Sequence, residues 1–458
     1  MKLNYEKKDV YSTLTDEQIK EAKEYADGYI KFLSTAKTEY LCVEEAVKML
    51  KSNGFEKIVD KKELRAGDKV YFINKEKSLF AATIGKEELK NGMNIIGAHI
   101  DSPRLDLKPF PLAERDNIAI LKTQYYGGIK KYQWLSIPLA LHGVVYNENN
   151  EKIVISVGED EKDPVFTIAD LLPHLSRDQL KATADKFINP EKMSVIVGNI
   201  KDKEAKENPV KMNILKILNE KYGIKEIDFA RSEISFVPAF PARYIGFDES
   251  LIGGYGQDDR VCSYSTLKAI IETSKDIQNK TNIALIVDKE EIGSYGNTSM
   301  NSKAFDLFVQ KLIQKTGENI SELEVYFNSK MLSADVTGGV NPDYEEVQDM
   351  QNASIIGSGI SVEKYGGSGG KYSSSDANAR YVSEVMRIFD KEKVGYQLGT
   401  LGKIGIGGGG TIAYILANKG VEVIDCGTPV LAMHSPFEVT SKFDVYMTYM
   451  AYKAFFEN

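Results

Sequence analysis

Residues 93–103 read MNIIGAHIDSP. Met93–Ile100 is an apolar run of the length of one buried strand, and it delivers two metal-capable side chains, His99 and Asp101, at its end. Two residues apart in an extended chain, they project to the same side, which lets Asp101 orient the His99 ring. The pattern recurs downstream. Ile283–Val287 reads as a strand and runs into Asp288-Lys289-Glu290-Glu291; Lys330–Ala334 is strand-like and runs into Asp335. Val421–Asp425 is a further strand, followed after a short loop by Ala432-Met433-His434. Between these lie helical stretches. Arg260–Glu272 is amphipathic and is opened by Gln257-Asp258-Asp259, while Lys303–Thr316 and Ala377–Phe389 have helical periodicity. Strands alternating with helices predict an α/β fold, a central and mostly parallel sheet flanked by helices. In such sheets ligands bind beyond the carboxyl ends of the strands, where these acids and histidines fall.

Working outward, Thr15–Ser34 reads as a helix with Asp16 and Glu17 in its first turn, and Val43–Asn53 as a second ended by Gly54. Lys69–Asn74 and Leu79–Ile84 alternate in β fashion. From residue 107 to 243 the pattern changes to short strand-like runs, among them Gly143–Tyr146 and Lys152–Val157. A polar stretch with helical pieces, Asp160–Glu207, follows them. This predicts a mainly β insertion, 107–243, between two parts of the α/β domain, 1–106 and 244–458. The Met-, Tyr- and Phe-rich Val445–Phe456 reads as a helix packed on the core.

Bulk properties narrow the function. At 42% hydrophobic and 27% charged residues the chain can bury a sizeable core. A net charge of -8 without a basic cluster argues against nucleic acid as a partner. No apolar run is long enough to span a membrane, and the charged N-terminus lacks a signal-peptide core. Cys42, Cys262 and Cys426 are widely spaced and odd in number, which predicts reduced thiols and a cytoplasmic protein.

Asp258, Glu290, Glu291 and Asp335 stand where buried strands end, a costly place for charge without a partner, and metal ions are natural partners for such a set. Mixed imidazole and carboxylate ligands suit zinc, cobalt or manganese better than calcium or magnesium. The series GAHIDSPRLDLKP, QDDR, DKEEIGS, LSADV and GTPVLAMHSP resembles the aspartyl aminopeptidase family of tetrahedral, dodecameric zinc aminopeptidases, in the same order and over nearly the whole chain. The resemblance implies a metallopeptidase domain with two divalent ions per subunit and a dimerisation or lid insertion. It implies that His99, Asp258 and Asp335 hold one ion, that Asp258, Glu291 and His434 hold the other, and that the Asp258–Asp259 peptide is cis. Glu290 would be the general base, Asp101 would steer His99, and His174 would reach a neighbouring subunit's site to steady the oxyanion. The substrates implied are short peptides cleaved after their N-terminal residue, inside a homododecamer.

Many members of the family it resembles carry a His-rich stretch ending HPNY after the Asp335 position; here it reads Val336–Tyr344 without histidine. The Gly/Ser loop Gly366–Ser375 also departs from the pattern, with Lys364 and Lys371 as candidates for an acidic substrate side chain. His142 has no motif and reads as structural. Other readings are a related two-metal deacylase, a non-catalytic shell protein, and a nucleotide-binding oxidoreductase. The last rests on Gly405–Gly410, which matches G-x-G-x-x-G and precedes a helical Thr411–Lys419. Against it, the segment before the glycines is no clean strand.

Overall fold

The structure is a computed structural model and describes residues 3–367, 369–372 and 374–458. The Gly366–Ser375 loop therefore includes two positions, Ser368 and Ser373, outside the described residues, as are Met1 and Lys2 at the N-terminus. The chain forms two compact units. The first comprises Met1–Asp101, Ala242–Met433 and Phe437–Asn458; the second comprises Ser102–Pro241 and His434–Pro436. The sequence boundary at 106/107 falls inside the strand Arg104–Arg115, whereas the first unit ends directly after the site strand, at Asp101.

In the first unit, four strands form the parallel heart of a nine-stranded sheet: Thr281–Val287, Met93–His99, Lys330–Ser333 and Glu422–Gly427, neighbours in that order. Antiparallel pairing appears where Thr281–Val287 meets Ser78–Thr83 and where Glu422–Gly427 meets Ile360–Glu363. Successive side chains on a strand point to opposite faces, so each heart strand feeds two cores. Ile96, Ile286, Leu332 and Ile424 pack on one face with Val261, Leu267, Phe455 and Phe456. Ile95, Leu285, Met331 and Val423 pack on the other with Phe305, Phe308, Leu312 and Leu416. This two-sided burial is why the strands read as continuous apolar runs rather than as alternating ones.

The expected C-terminal helix spans Lys442–Glu457 and buries Val445, Met447, Tyr452, Phe455 and Phe456. Its last carbonyls have no partner within the helix. Asn282 Nδ2 donates to Phe456 O at 2.9 Å and Asn94 Nδ2 to Phe455 O at 3.4 Å. Two asparagines in otherwise apolar strands thus tie the sheet to the helix end.

Two helices begin elsewhere than the periodicity suggested. The second helix spans Glu39–Ser52, because Thr38 caps it by accepting the Leu41 N–H at 3.4 Å. The helix expected over Thr411–Lys419 spans only Ala413–Ala417. Thr411 Oγ1 accepts the Ala413 N–H and donates to Asp425 Oδ1 at 2.7 Å, which holds Thr411 outside the helix.

The second unit is built on a six-stranded antiparallel sheet in the order Lys152–Val157, Leu139–Tyr146, Ser232–Pro238, Arg104–Arg115, Ile118–Tyr126, Val195–Gly198. A helix, Pro209–Tyr222, follows the charged stretch Lys201–Asn208, with Pro at its start and Gly223 (φ 70°) at its end. Its first free N–H groups, on Val210 and Lys211, are taken by Glu114 Oε2 at 2.9 and 3.0 Å. Among the described residues no helix is long and apolar enough to cross a membrane.

Gly92 precedes the Met93–His99 strand at φ 86°, and a Cβ there would lie 1.9 Å from Asn328 O. Gly54 has a similar φ of 83° with nothing within 4 Å of its Cβ position. Gly92→Ala is expected to cost on the order of 2 kcal/mol or more and Gly54→Ala about 1 kcal/mol. Urea unfolding of the two variants measures the difference, which isolates the clash from the backbone strain they share.

Candidate metal centre

The carboxyl ends of three parallel strands and the head of the helix Gln257–Thr273 bring five of the expected residues together within the first unit. Ligand-capable atoms of His99, Glu290 and Asp335 all lie within 4.8 Å of one another, and so do those of His99, Asp258 and Glu291. His99 Nε2 is 3.1 Å from Asp258 Oδ1 and 3.8 Å from Asp335 Oδ1. His99 and Asp258 are buried, while Glu290, Glu291 and Asp335 are half-buried, so the cluster has a closed inner side and an open outer one. The grouping differs in detail from the division implied by resemblance: His99 is common to both sets, and Glu290 stands among the ligand-capable atoms rather than apart from them.

Each side chain is placed by a specific local device. His99 ends its strand, and its backbone is pinned on both sides: its N–H donates to Asp259 Oδ2 at 3.3 Å, and its carbonyl accepts from Ser263 Oγ at 2.7 Å. Its Nδ1 lies 3.0 Å from the Asp101 carbonyl and 3.4 Å from Asp101 Oδ1. The Asp101 carboxylate, fully buried, does more than face the ring. Oδ1 accepts the Glu290 N–H and Oδ2 the Glu291 N–H, each at 3.1 Å. One carboxylate therefore fixes the short turn Glu290–Ile292. Asp258 and Asp259 precede the regular part of the helix, and their peptide is cis. Asp335 leaves the end of the Lys330–Ser333 strand where Gly427 must lack a side chain, since a Cβ there would lie 1.7 Å from Asp335 O.

The electrostatics follow from crowding acids around one imidazole. Burial alone would depress the His99 pKa, but hydrogen bonds to Asp101, Asp258 and Asp335 hold it well above the usual histidine value. Burial pushes Glu290 up to about 8, with repulsion from Asp335, Asp101 and Asp258 adding to it and His99 opposing it. Burial and the Asp335 charge raise Asp259 as well. Carboxylates packed this closely carry mutual repulsion that divalent cations relieve. One imidazole nitrogen with several carboxylate oxygens is a donor set of the zinc, cobalt or manganese type, so the residues present fit such ions.

The other expected residues fall elsewhere. His434 lies in the second unit, with Nδ1 2.8 Å from Gly128 O. His174 sits in the same unit on the exposed turn Pro173–Leu175. His142 is buried in the second unit's sheet, with Nε2 2.7 Å from Glu159 Oε1, a structural pairing. Lys371 forms an ion pair with Asp376 at 2.8 Å and lies 4.0 Å from the centre of the Tyr365 ring; Lys364 is exposed.

A family model described as aminopeptidase I zinc metalloprotease (M18) matches residues 32–456. The chain belongs to the M18 aminopeptidase family. It is 46% identical to a probable M18 family aminopeptidase 1 of Clostridium acetobutylicum, over 99% of this chain and 98% of that one. Its fold superposes on a crystal structure of an M18 aminopeptidase from Thermotoga maritima with a TM-score of 0.95 at 43% identity, covering 99% of this chain and 100% of the other. The crystal structure of aminopeptidase I from Clostridium acetobutylicum gives 0.94 at 45% identity, with 100% of both chains covered. The protein is accordingly a metal-dependent aminopeptidase, a hydrolase of the metallo-exopeptidase type. This membership displaces the nucleotide-binding reading of Gly405–Gly410, whose following helix has only 5 residues.

Beside the cluster, Glu363 and Asp425 face each other across an antiparallel pair. Burial raises both to about 7, against hydrogen bonds from Thr337 to Glu363 and from Thr411 to Asp425. A carboxyl whose folded pKa is raised stabilises the fold most below its unfolded pKa and loses that contribution as pH rises through the folded value. Glu363→Gln, which mimics the protonated form, should therefore gain stability over wild type between pH 5 and pH 8, by roughly 1–3 kcal/mol. Denaturant unfolding at the two pH values measures it.

Asp101→Asn keeps the shape but leaves one of the two N–H groups of the Glu290–Glu291 turn facing an amide N–H. Aminopeptidase turnover is expected to fall about 10–100-fold with the protein folded. Steady-state kinetics with circular dichroism as the folding control checks it.

Proposed function

We propose that the chain binds two divalent ions per subunit, zinc by preference with cobalt or manganese as alternatives, and removes the N-terminal residue from short peptides. The observation that carries this reading is the gathering of ligand-capable atoms from His99, Asp258, Glu290, Glu291 and Asp335 at one sheet end. In this reading His99, Asp258, Glu291 and Asp335 are ligands, and His434 completes the set as the family resemblance implies. Two such ions would polarise the scissile carbonyl and lower the pKa of water at the site.

The chain's own residues supply the proton chemistry. Glu290 takes a proton from the attacking water and returns it to the leaving amine. Asp101 holds the Glu290–Glu291 backbone by two N–H bonds, so the base cannot drift from the reacting atoms. The half-buried outer side of the cluster gives the substrate its approach. His174 is assigned to a neighbouring subunit's site, where it steadies the oxyanion. That role needs an oligomer, and resemblance makes it a homododecamer with the second unit providing dimer contacts. The three cysteines are all unpaired and buried, which suits a reducing, cytoplasmic compartment. The metal chemistry transfers from the family resemblance but the preference for an N-terminal Asp or Glu does not, because Val336–Tyr344 departs from the HPNY pattern and Lys371 is paired with Asp376.

The test is hydrolysis of aminoacyl-p-nitroanilides and unblocked dipeptides, with chelator and then with zinc, cobalt or manganese restored. Chelator should abolish release and metal should restore it. The ratio of Asp and Glu to Leu substrates reads out specificity. Release that is indifferent to chelator, or cleavage confined to N-acylated amino acids, would overturn the reading. Glu290→Gln should keep the bound metal and lose about 10²–10⁴-fold in turnover. Metal analysis and kinetics on the same preparation separate loss of the base from loss of a ligand.

A further inference from the structure

Asp258, to which the family resemblance gives both ions, stands on backbone that its helix does not hold. Asp258 (φ -79°, ψ 107°) and Asp259 (φ -117°, ψ 35°) are non-helical at the head of Gln257–Thr273. Something other than the helical ladder must set the direction of the Asp258 carboxylate. Four hydrogen bonds do so. Gln257 Nε2 donates to Glu438 O at 2.7 Å and to Ile252 O at 3.1 Å. Tyr29 Oη donates to Gln257 Oε1 at 3.3 Å. The Asp258 N–H donates to Glu438 Oε2 at 3.2 Å. Gln257 is 0% and Glu438 1% exposed. The strands that carry these acceptors, Leu251–Gly254 and Glu438–Ser441, pair with each other, with Gly254 opposite Glu438. The turn is therefore clamped to a rigid ribbon and to the first helix at once.

A buried carboxylate is expensive and adds little to stability that an apolar side chain would not. Beside a metal-capable aspartate it has another use: it fixes the ligand's backbone, as groups behind metal ligands commonly do. We infer that Glu438 and Gln257 are positioning residues for the metal site, holding the Asp258 carboxylate at the angle that divalent binding needs. This rests on the reading of Asp258 as a ligand. It gives a role to two residues that the ligand and base assignments leave unused, Gln257 from the QDDR stretch and Glu438 from outside every motif.

The test is zinc affinity of the chelator-stripped full-length protein, read by competition with a chromogenic chelator and without substrate. Circular dichroism establishes that each variant is folded at the assay temperature. Glu438→Ala and Gln257→Met should each weaken zinc binding about 10–100-fold. Glu438→Gln, which keeps an oxygen acceptor for the Asp258 N–H, should stay close to wild type. Should Glu438→Ala not fold, Gln257→Met and Glu438→Gln carry the comparison. Wild-type affinity in Glu438→Ala and Gln257→Met, even with a lowered melting temperature, would make the clamp merely structural and overturn the inference. Equal weakening by Glu438→Gln and Glu438→Ala would also overturn it, since the charge and not the bond would matter. Asp258→Ala separates the two levels: if it too binds zinc normally, the ligand reading itself fails.

Discussion

Like charges at about 4 Å repel by roughly 4 kcal/mol at the effective dielectric near a protein surface, and this fold gathers Asp258, Glu290, Glu291 and Asp335 around a single buried imidazole. The surrounding architecture resists the natural response, which is for the acids to spread apart. Parallel pairing fixes the ends of the strands bearing His99 and Asp335 at neighbouring positions. The strand leading to Glu290 and Glu291 pairs along the full length of the His99 strand. Two hydrophobic cores, one on each face, hold that sheet. The apolar interior provides rigidity, and the rigidity keeps a charge-crowded site assembled for cations to enter.

Local devices then turn a sheet end into a site. His99 is fixed through its own backbone by Asp259 and Ser263. Asp101 spends both carboxylate oxygens on the backbone of the Glu290–Glu291 turn. Gly427 makes room for the Asp335 carbonyl. The groups behind His99 and behind the Glu290–Glu291 turn are buried and bonded, the preorganisation a catalytic constellation requires.

The heart of this was legible because it was written in local pattern. Buried parallel strands appear as apolar runs, and the acids at their ends appear as breaks in those runs. Met93–Ile100, Ile283–Val287, Lys330–Ala334 and Val421–Asp425 therefore pointed to both the sheet and the site residues. What escaped was non-local. Sequence spacing links Asp101 to His99, two residues away, yet its carboxylate bonds groups 189 and 190 positions along the chain. Glu438 lies 180 positions from the N–H it accepts, and no spacing rule reaches that far. The helix Ala413–Ala417 starts later than the periodicity predicts because the bond from Thr411 to Asp425, which holds Thr411 outside it, is invisible to periodicity. The helix Pro209–Tyr222 is marked in sequence by Pro209 at its start and Gly223 after its end.

The central claim is that one sheet end holds two cations between shared ligands. Crystals of the zinc-loaded protein, measured on both sides of the zinc absorption edge, test it most directly. The account predicts two anomalous peaks about 3.5–4 Å apart, both within bonding distance of carboxylate oxygens from the Asp258, Glu291 and Asp335 set and at least one bound to His99. A single peak, or peaks away from His99 and Asp258 in fully loaded crystals, would contradict it.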